Sequence, residues 1–235
     1  MIMNKSPQAR MRDKINEIFA QGEVSLCDTL AAGKIITHIG IDWQRLYCDP
    51  DFEASPHRKL NSPGVQQALV QMRATIDDLR RLMPTIWVVH DIKIQNDFLD
   101  PDHEVFNLEG RERQRKMALL RIQSQDMCLP TLQGEPILKK PEYCAFAKTP
   151  LHEFLQACKV DAVLLSGVLR SVCVKETALT SVSMGYDTYI AENLTADQTL
   201  QHFPSYAKSV IERAEQGIKM VRSENIQKIL TGAPL

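Results

Sequence analysis

Six short, almost unbroken apolar runs alternate with longer segments of helical spacing, and this alternation is what most limits the folds open to the chain. The runs are "KIITHIGID", "TIWVVHD", "PILKK", "AVLLSG", "YDTYIAE" and "IKMVRS". Strands that are apolar throughout, without polar residues at every second place, are buried on both faces, and such strands belong to parallel sheets covered by helices. Between them, Ile15, Ile18 and Phe19 share a face of a helix over about residues 8–20, and Ala68, Leu69, Met72, Ile76 and Leu79 share a face of another that follows Pro63 and Gly64 and ends before Pro84. Further helices are predicted in "ERQRKMALLRIQ", in "TPLHEFLQACK" with Thr149 as its cap, in "SVCVKETALTSVSMG" closed by Gly185, over roughly 196–215, and after Ser223. The prediction is an α/β protein: a three-layer α/β/α sandwich with a mostly parallel sheet of about six strands over residues 31–235. Residues 1–30 are an added N-terminal helical extension outside the core. The polar stretch 92–110 reads as a loop.

Charge narrows the possible partners. With 28 Lys and Arg against 29 Asp and Glu in 235 residues, the balance argues against a nucleic-acid or membrane-surface protein. No run of 18 apolar residues suggests a membrane span, and the first twenty residues lack the continuous apolar stretch of a secretory signal. Six cysteines, at 27, 48, 128, 144, 158 and 173, form no CxxC pair and no Cys/His cluster with zinc spacing. They read as free thiols of a cytoplasmic protein, with no metal and no cofactor expected and a small molecule as the partner.

Function in an open parallel sheet collects beyond the carboxyl ends of its strands. Three reactive residues fall there: Asp42, Lys140 and Cys173, the last in "SGVLRSVCVKETA". Taken singly, each has an ordinary structural explanation: a strand-end cap, a solvated strand terminus, a small core side chain. Together they supply a thiol nucleophile, a base and a cation. Cys173 opens a helix, whose free N–H groups and dipole favour an anion, and Lys140 adds a full positive charge. The N–H of Cys173 and a second donor from the preceding turn are candidates for an oxyanion hole.

"IDWQRLYC" (41–48), "KPEYCAFAKTPL" (140–151) and "SGVLRSVCVKETA" (166–178), followed by "MGYDTYIAENLTAD" (184–197), resemble in order the signature blocks of the isochorismatase-like cysteine hydrolase superfamily. The resemblance covers about residues 35–225. It implies an Asp–Lys–Cys triad of Asp42, Lys140 and Cys173. It also implies a cis peptide between Val168 and Leu169, turning the Leu169 N–H toward the oxyanion position beside that of Cys173. Tyr47 matches a pocket-lining aromatic position, and Tyr143 is a further candidate for substrate contact. Arg170 either clamps a substrate carboxylate or is solvated.

The resemblance implies hydrolysis of a C–N bond in a small non-peptide amide, ureide or carbamoyl compound through a thioester. Two alternatives stand beside it. One is vinyl-ether hydrolysis of the isochorismatase type, although true isochorismatases usually carry Gly where Cys173 stands. The other is a binding protein that keeps the fold without catalysis. "CDPDFEASPH" (48–57) contains no D-x-H metal motif, which disfavours a nicotinamidase. The resemblance also implies a homo-oligomer.

Overall fold

In the computed structural model of the chain, residues 6–52, 63–91, 103–197 and 202–231 are described. Helix α1 (Pro7–Ala31) starts at Ser6, whose Oγ accepts from the Ala9 N–H, with Pro7 at the first position where a missing N–H costs nothing. Strand β1 (Ile36–Ile41) is buried along its whole length, and a single turn, α2 (Arg45–Cys48), follows it. Helix α3 (Pro63–Leu82) buries Val65, Ala68, Leu69, Met72, Ile76 and Leu79, the stripe its spacing predicts. Strand β2 (Thr85–His90) leads to a short 3₁₀ turn (Glu104–Asn107) and α4 (Gly110–Ser124). Then come β3 (Ile137–Lys140), α5 (Leu151–Ala157), β4 (Ala162–Val168) and a wide turn of π type over Arg170–Val174 that runs into α6 (Lys175–Ser183). Strand β5 (Asp187–Ala196), α7 (Phe203–Glu215), β6 (Lys219–Val221) and α8 (Ser223–Thr231) complete the described residues.

The six strands form one parallel sheet in the order β3-β2-β1-β4-β5-β6. The chain therefore winds outward from β1 in one direction, returns to β4, and winds outward in the other. Side chains alternate between two cores. Ala162 and Leu164 of β4 join α3 and α8 on one face, while Val163 and Leu165 join α5, α6 and α7 on the other. The predicted three layers and six strands are thus present. Among the described residues no helix is long and apolar enough to cross a membrane.

Some boundaries differ from the sequence reading. Strand β5 runs on to Ala196, so the helix expected from about 196 begins at Phe203. Pro150 takes the cap position of α5, although Thr149 Oγ1 still accepts from the Leu151 N–H. Of the loop expected at 92–110, residues 92–102 lie outside the described residues, and the rest forms the 3₁₀ turn and the start of α4.

Residues 6–30, the described part of the expected extension, do not stand outside the core. Ile15 and Phe19 of α1 join one core, Leu26 joins the other, and the helix packs against β6, α7 and α8. Gly22 is what permits this. A Cβ there would lie 2.1 Å from the Met220 carbonyl oxygen of β6. A glycine in mid-helix reads as weakness in the sequence; here it is the point where helix backbone touches strand backbone.

Candidate active site

The sheet's change of winding direction puts the carboxyl ends of β1 and β4 side by side, where a crevice is expected. Asp42 follows β1 directly. Its N–H donates to the Val88 carbonyl (2.8 Å), and its backbone turns into the left-handed region at φ 55°. Beside it, Gly167 at φ 131° leaves room for the Ile41 carbonyl, which a Cβ would meet at 2.1 Å. Behind this approach runs a buried polar chain. His38 lies between Thr85 (3.3 Å) and Ser166 (2.8 Å), and the Trp43 indole donates to the same Ser166 oxygen (3.2 Å).

Lys140 ends β3, two strands away, and its side chain crosses the end of β2. The ammonium lies 2.8 Å from Asp42 Oδ2 and donates to Cys173 Sγ (3.4 Å) and to the Glu142 carbonyl (3.2 Å). Asp42 and Lys140 are fully buried, and Cys173 is 5% exposed. Both Asp42 oxygens are sealed from solvent, and besides the Lys140 ammonium the carboxylate faces the Cys173 thiol and the His90 backbone.

Electrostatics at the thiol differ from the sequence expectation of a favoured anion. Burial, and then the charge of Asp42, push the Cys173 thiol up to about 12, and the Lys140 ammonium only partly offsets them. The same burial raises the Asp42 carboxyl, opposed by Lys140. Desolvation outweighs the helix terminus because the sulfur is nearly sealed from water. Raised in this way, the Cys173 group favours the protonated thiol, and it lies beside the Asp42 carboxyl.

Leu169 and Cys173 frame the wide turn. The Val168–Leu169 bond is cis, and the Leu169 carbonyl accepts from the Val172 and Val174 N–H groups (3.1 Å each). Tyr47 is partly buried, with its hydroxyl 2.8 Å from His90 Nδ1. Tyr143 is exposed and meets His90 edge-on at 6.1 Å. An open cavity of about 740 Å³ adjoins the thiol's turn, lined by His90, Glu142, Tyr143, Val172 and Glu176 among others.

Arg170 is not brought to this cavity. Its guanidinium pairs with Glu192 of β5, donates to the Thr195 carbonyl (3.3 Å) and stacks over Tyr206. It is neither a clamp at the thiol nor a solvated side chain, because a buried carboxylate on the neighbouring strand takes its charge. Two further residues shape the site. Gln44 accepts from the His90 N–H (2.7 Å) and donates to the His90 and Ser124 carbonyls (3.2 and 3.3 Å), tying the end of β1 to β2 and α4. His90 is held neutral, pushed down to about 4 by burial and then by the Lys140 charge. Its place at the end of a buried strand, like that of Asp42, was the sequence signal for it. Among the described residues no group of three or more His, Cys, Asp or Glu is arranged to hold a metal ion.

Comparison with known proteins adds the context. The family model of the Isochorismatase domain matches residues 37–225. The ureidoacrylate amidohydrolase RutB of Cronobacter sakazakii (strain ATCC BAA-894) is 31% identical over 80 residues, which are 34% of this chain and 33% of that protein. The chain thus aligns with only a third of that relative's length. Among solved structures, the N-carbamoylsarcosine amidase of Thermoplasma acidophilum superposes with a TM-score of 0.56 at 19% identity, over 81% of this chain and 97% of that one. A cysteine hydrolase of Pseudomonas syringae pv. phaseolicola 1448A does so with 0.63 at 16% identity, over 85% and 93%. At these identities the likeness is one of fold.

Proposed function

The chain belongs to the isochorismatase family of hydrolases, and from that premise we propose that it cleaves the C–N bond of a small non-peptide amide, ureide or carbamoyl compound through a thioester on Cys173. The observation that carries this reading is the position of the Lys140 ammonium, in contact with both the Asp42 carboxylate and the Cys173 sulfur. Two of the similar proteins, by name an amidohydrolase and an amidase, point the same way.

In this reading Asp42 takes the Cys173 proton as the sulfur attacks the carbonyl carbon. Lys140 offsets the negative charge that sulfur and carboxylate share in turn. The N–H groups of Leu169 and Cys173 receive the developing oxyanion. Asp42 then gives its proton to the departing nitrogen as the C–N bond breaks. Water, deprotonated by Asp42, attacks the thioester, and the proton returns to sulfur as the acid leaves. Tyr47 and Tyr143 are the candidate substrate contacts. All six cysteines are free, which fits a reducing compartment such as the cytoplasm, and cytoplasmic location and a homo-oligomer remain parts of the proposal.

The test is Cys173→Ala assayed on a panel of small amides and ureides, with isochorismate included. Turnover of an amide by the native chain, reduced about 10³-fold or more in the variant, is expected. Amide turnover undiminished in the variant sinks the thioester mechanism. Isochorismate cleavage unharmed by the substitution transfers the assignment to vinyl-ether hydrolysis.

A further inference from the structure

The turn that carries Cys173 is gripped from a neighbouring strand. β4 and β5 pair as Leu165↔Ile190 up to an irregularity, and beyond it as Gly167↔Thr195 and Val168↔Ala196, so the offset grows from 25 to 28 residues. The extra length in β5 brings Asp197, the residue after Ala196, to the level of Leu169. Without it, Leu194 would stand there. Asp197 is 9% exposed. Its Oδ1 accepts from both the N–H of Ser171 (2.8 Å) and the hydroxyl of Ser171 (2.7 Å). Ser171 lies two residues before Cys173 in the same turn. An N–H at the start of a helical segment has no partner within the helix, and an acidic side chain is a strong acceptor for it. This acceptor comes from another strand, so it fixes where the turn sits as well as satisfying it. Arg170, one residue earlier, is held to β5 in the same sense by Glu192.

We propose that Asp197 is a positioning residue: through Ser171 it sets the turn so that the Cys173 sulfur meets Lys140 and Asp42. The proposal rests on the reading of Cys173 as nucleophile. It assigns the effect to geometry. Both bonds end on one oxygen, which an asparagine side chain also presents, so Asp197→Asn preserves the grip and Asp197→Ala removes it.

Two measurements test it. The first needs no substrate: the pH dependence of Cys173 alkylation by iodoacetamide, resolved by peptide mass spectrometry and referred to the exposed Cys158 in the same sample. In the native chain the Cys173 profile stands well above the ordinary thiol range. In Asp197→Ala its profile moves down toward the ordinary thiol range, because the released thiol gains water and loses the Asp42 charge; in Asp197→Asn it stays. The second is turnover of whichever amide the native chain hydrolyses: kcat falls about 100-fold in Asp197→Ala with KM little changed, and Asp197→Asn recovers to about threefold below native. A Cys173 profile and kcat unmoved in Asp197→Ala overturn the proposal, and so does an Asp197→Asn variant as impaired as the alanine one. If the alanine variant does not fold, Ser171→Ala, which removes only the hydroxyl bond, takes its place, with a smaller shift in the same direction expected and no shift overturning. A Cys173→Ala chain that still hydrolyses amides sinks the thioester reading on its own, while the alkylation profile still decides the role of Asp197.

Discussion

Cys173 is both a core side chain and the candidate nucleophile, and the two descriptions have one cause. Burial excludes water, holds the thiol protonated, and makes each neighbouring charge count for more than it would at the surface. A second buried titratable residue, His38, shows the same physics in stability. Burial pushes it down to about 3 from 6.5, so the folded chain resists protonation that the unfolded chain accepts. Between these values the unfolded state binds more protons, so stability is complete above about pH 6.5 and is lost as pH falls toward 3. The slope approaches about 1.4 kcal/mol per pH unit from this residue alone. His38→Gln, which keeps polar atoms near Thr85 and Ser166 but cannot titrate, is expected to flatten the decline between pH 6.5 and 4.5 in urea unfolding. An unchanged slope removes His38 from the account.

At the scale of elements, the decisive contacts are those between backbones. β1 and β4 approach at Gly167 next to the candidate site, and α1 reaches β6 at Gly22. Gly22→Ala drives a methyl into the Met220 carbonyl, which cannot swing aside as a side chain would. The expected outcome is a destabilisation of about 1–3 kcal/mol, the usual cost of overpacking, and not the gain that alanine ordinarily brings to a helix. Thermal unfolding checks it: a melting temperature equal to or above the native one means that α1 shifts freely on β6. A site far from this contact keeps its activity at temperatures where the variant remains folded.

The candidate site is a property of the whole molecule, because three strands that are distant in sequence must each end in the right place. Lys140 stands on the edge strand and reaches across β2 to Asp42 at the end of β1. Lys140→Met breaks that span and leaves a buried carboxylate without its counter-charge. Losing Lys140 raises the folded-state Asp42 carboxyl further above its ordinary value, since the ammonium was what opposed burial. A carboxyl raised in the folded state is tolerated while protonated and costs stability as pH rises through its titration. The variant is therefore expected to lose activity and to fall further below the native stability at pH 8 than at pH 5, by up to about 3–5 kcal/mol, the usual cost of breaking a buried pair. A deficit independent of pH contradicts the arrangement.

Much of this was legible in the amino-acid order. Six apolar runs separated by amphipathic segments dictate a covered parallel sheet; Asp42, Lys140 and Cys173 fall at strand ends, and it is the resemblance of the blocks around them to the family's signature that singles them out. These signals are local, because burial on both faces and helical spacing repeat over a few residues. What only the tertiary structure decided is what depends on neighbours far along the chain. The docking of α1 turns on one glycine against β6. The diversion of Arg170 depends on Glu192, the placing of Asp197 on extra length in β5, and the protonated state of the thiol on how completely the fold seals it. Dehydration and the meeting of charges belong to three-dimensional proximity, and no pattern of spacing in one dimension encodes them.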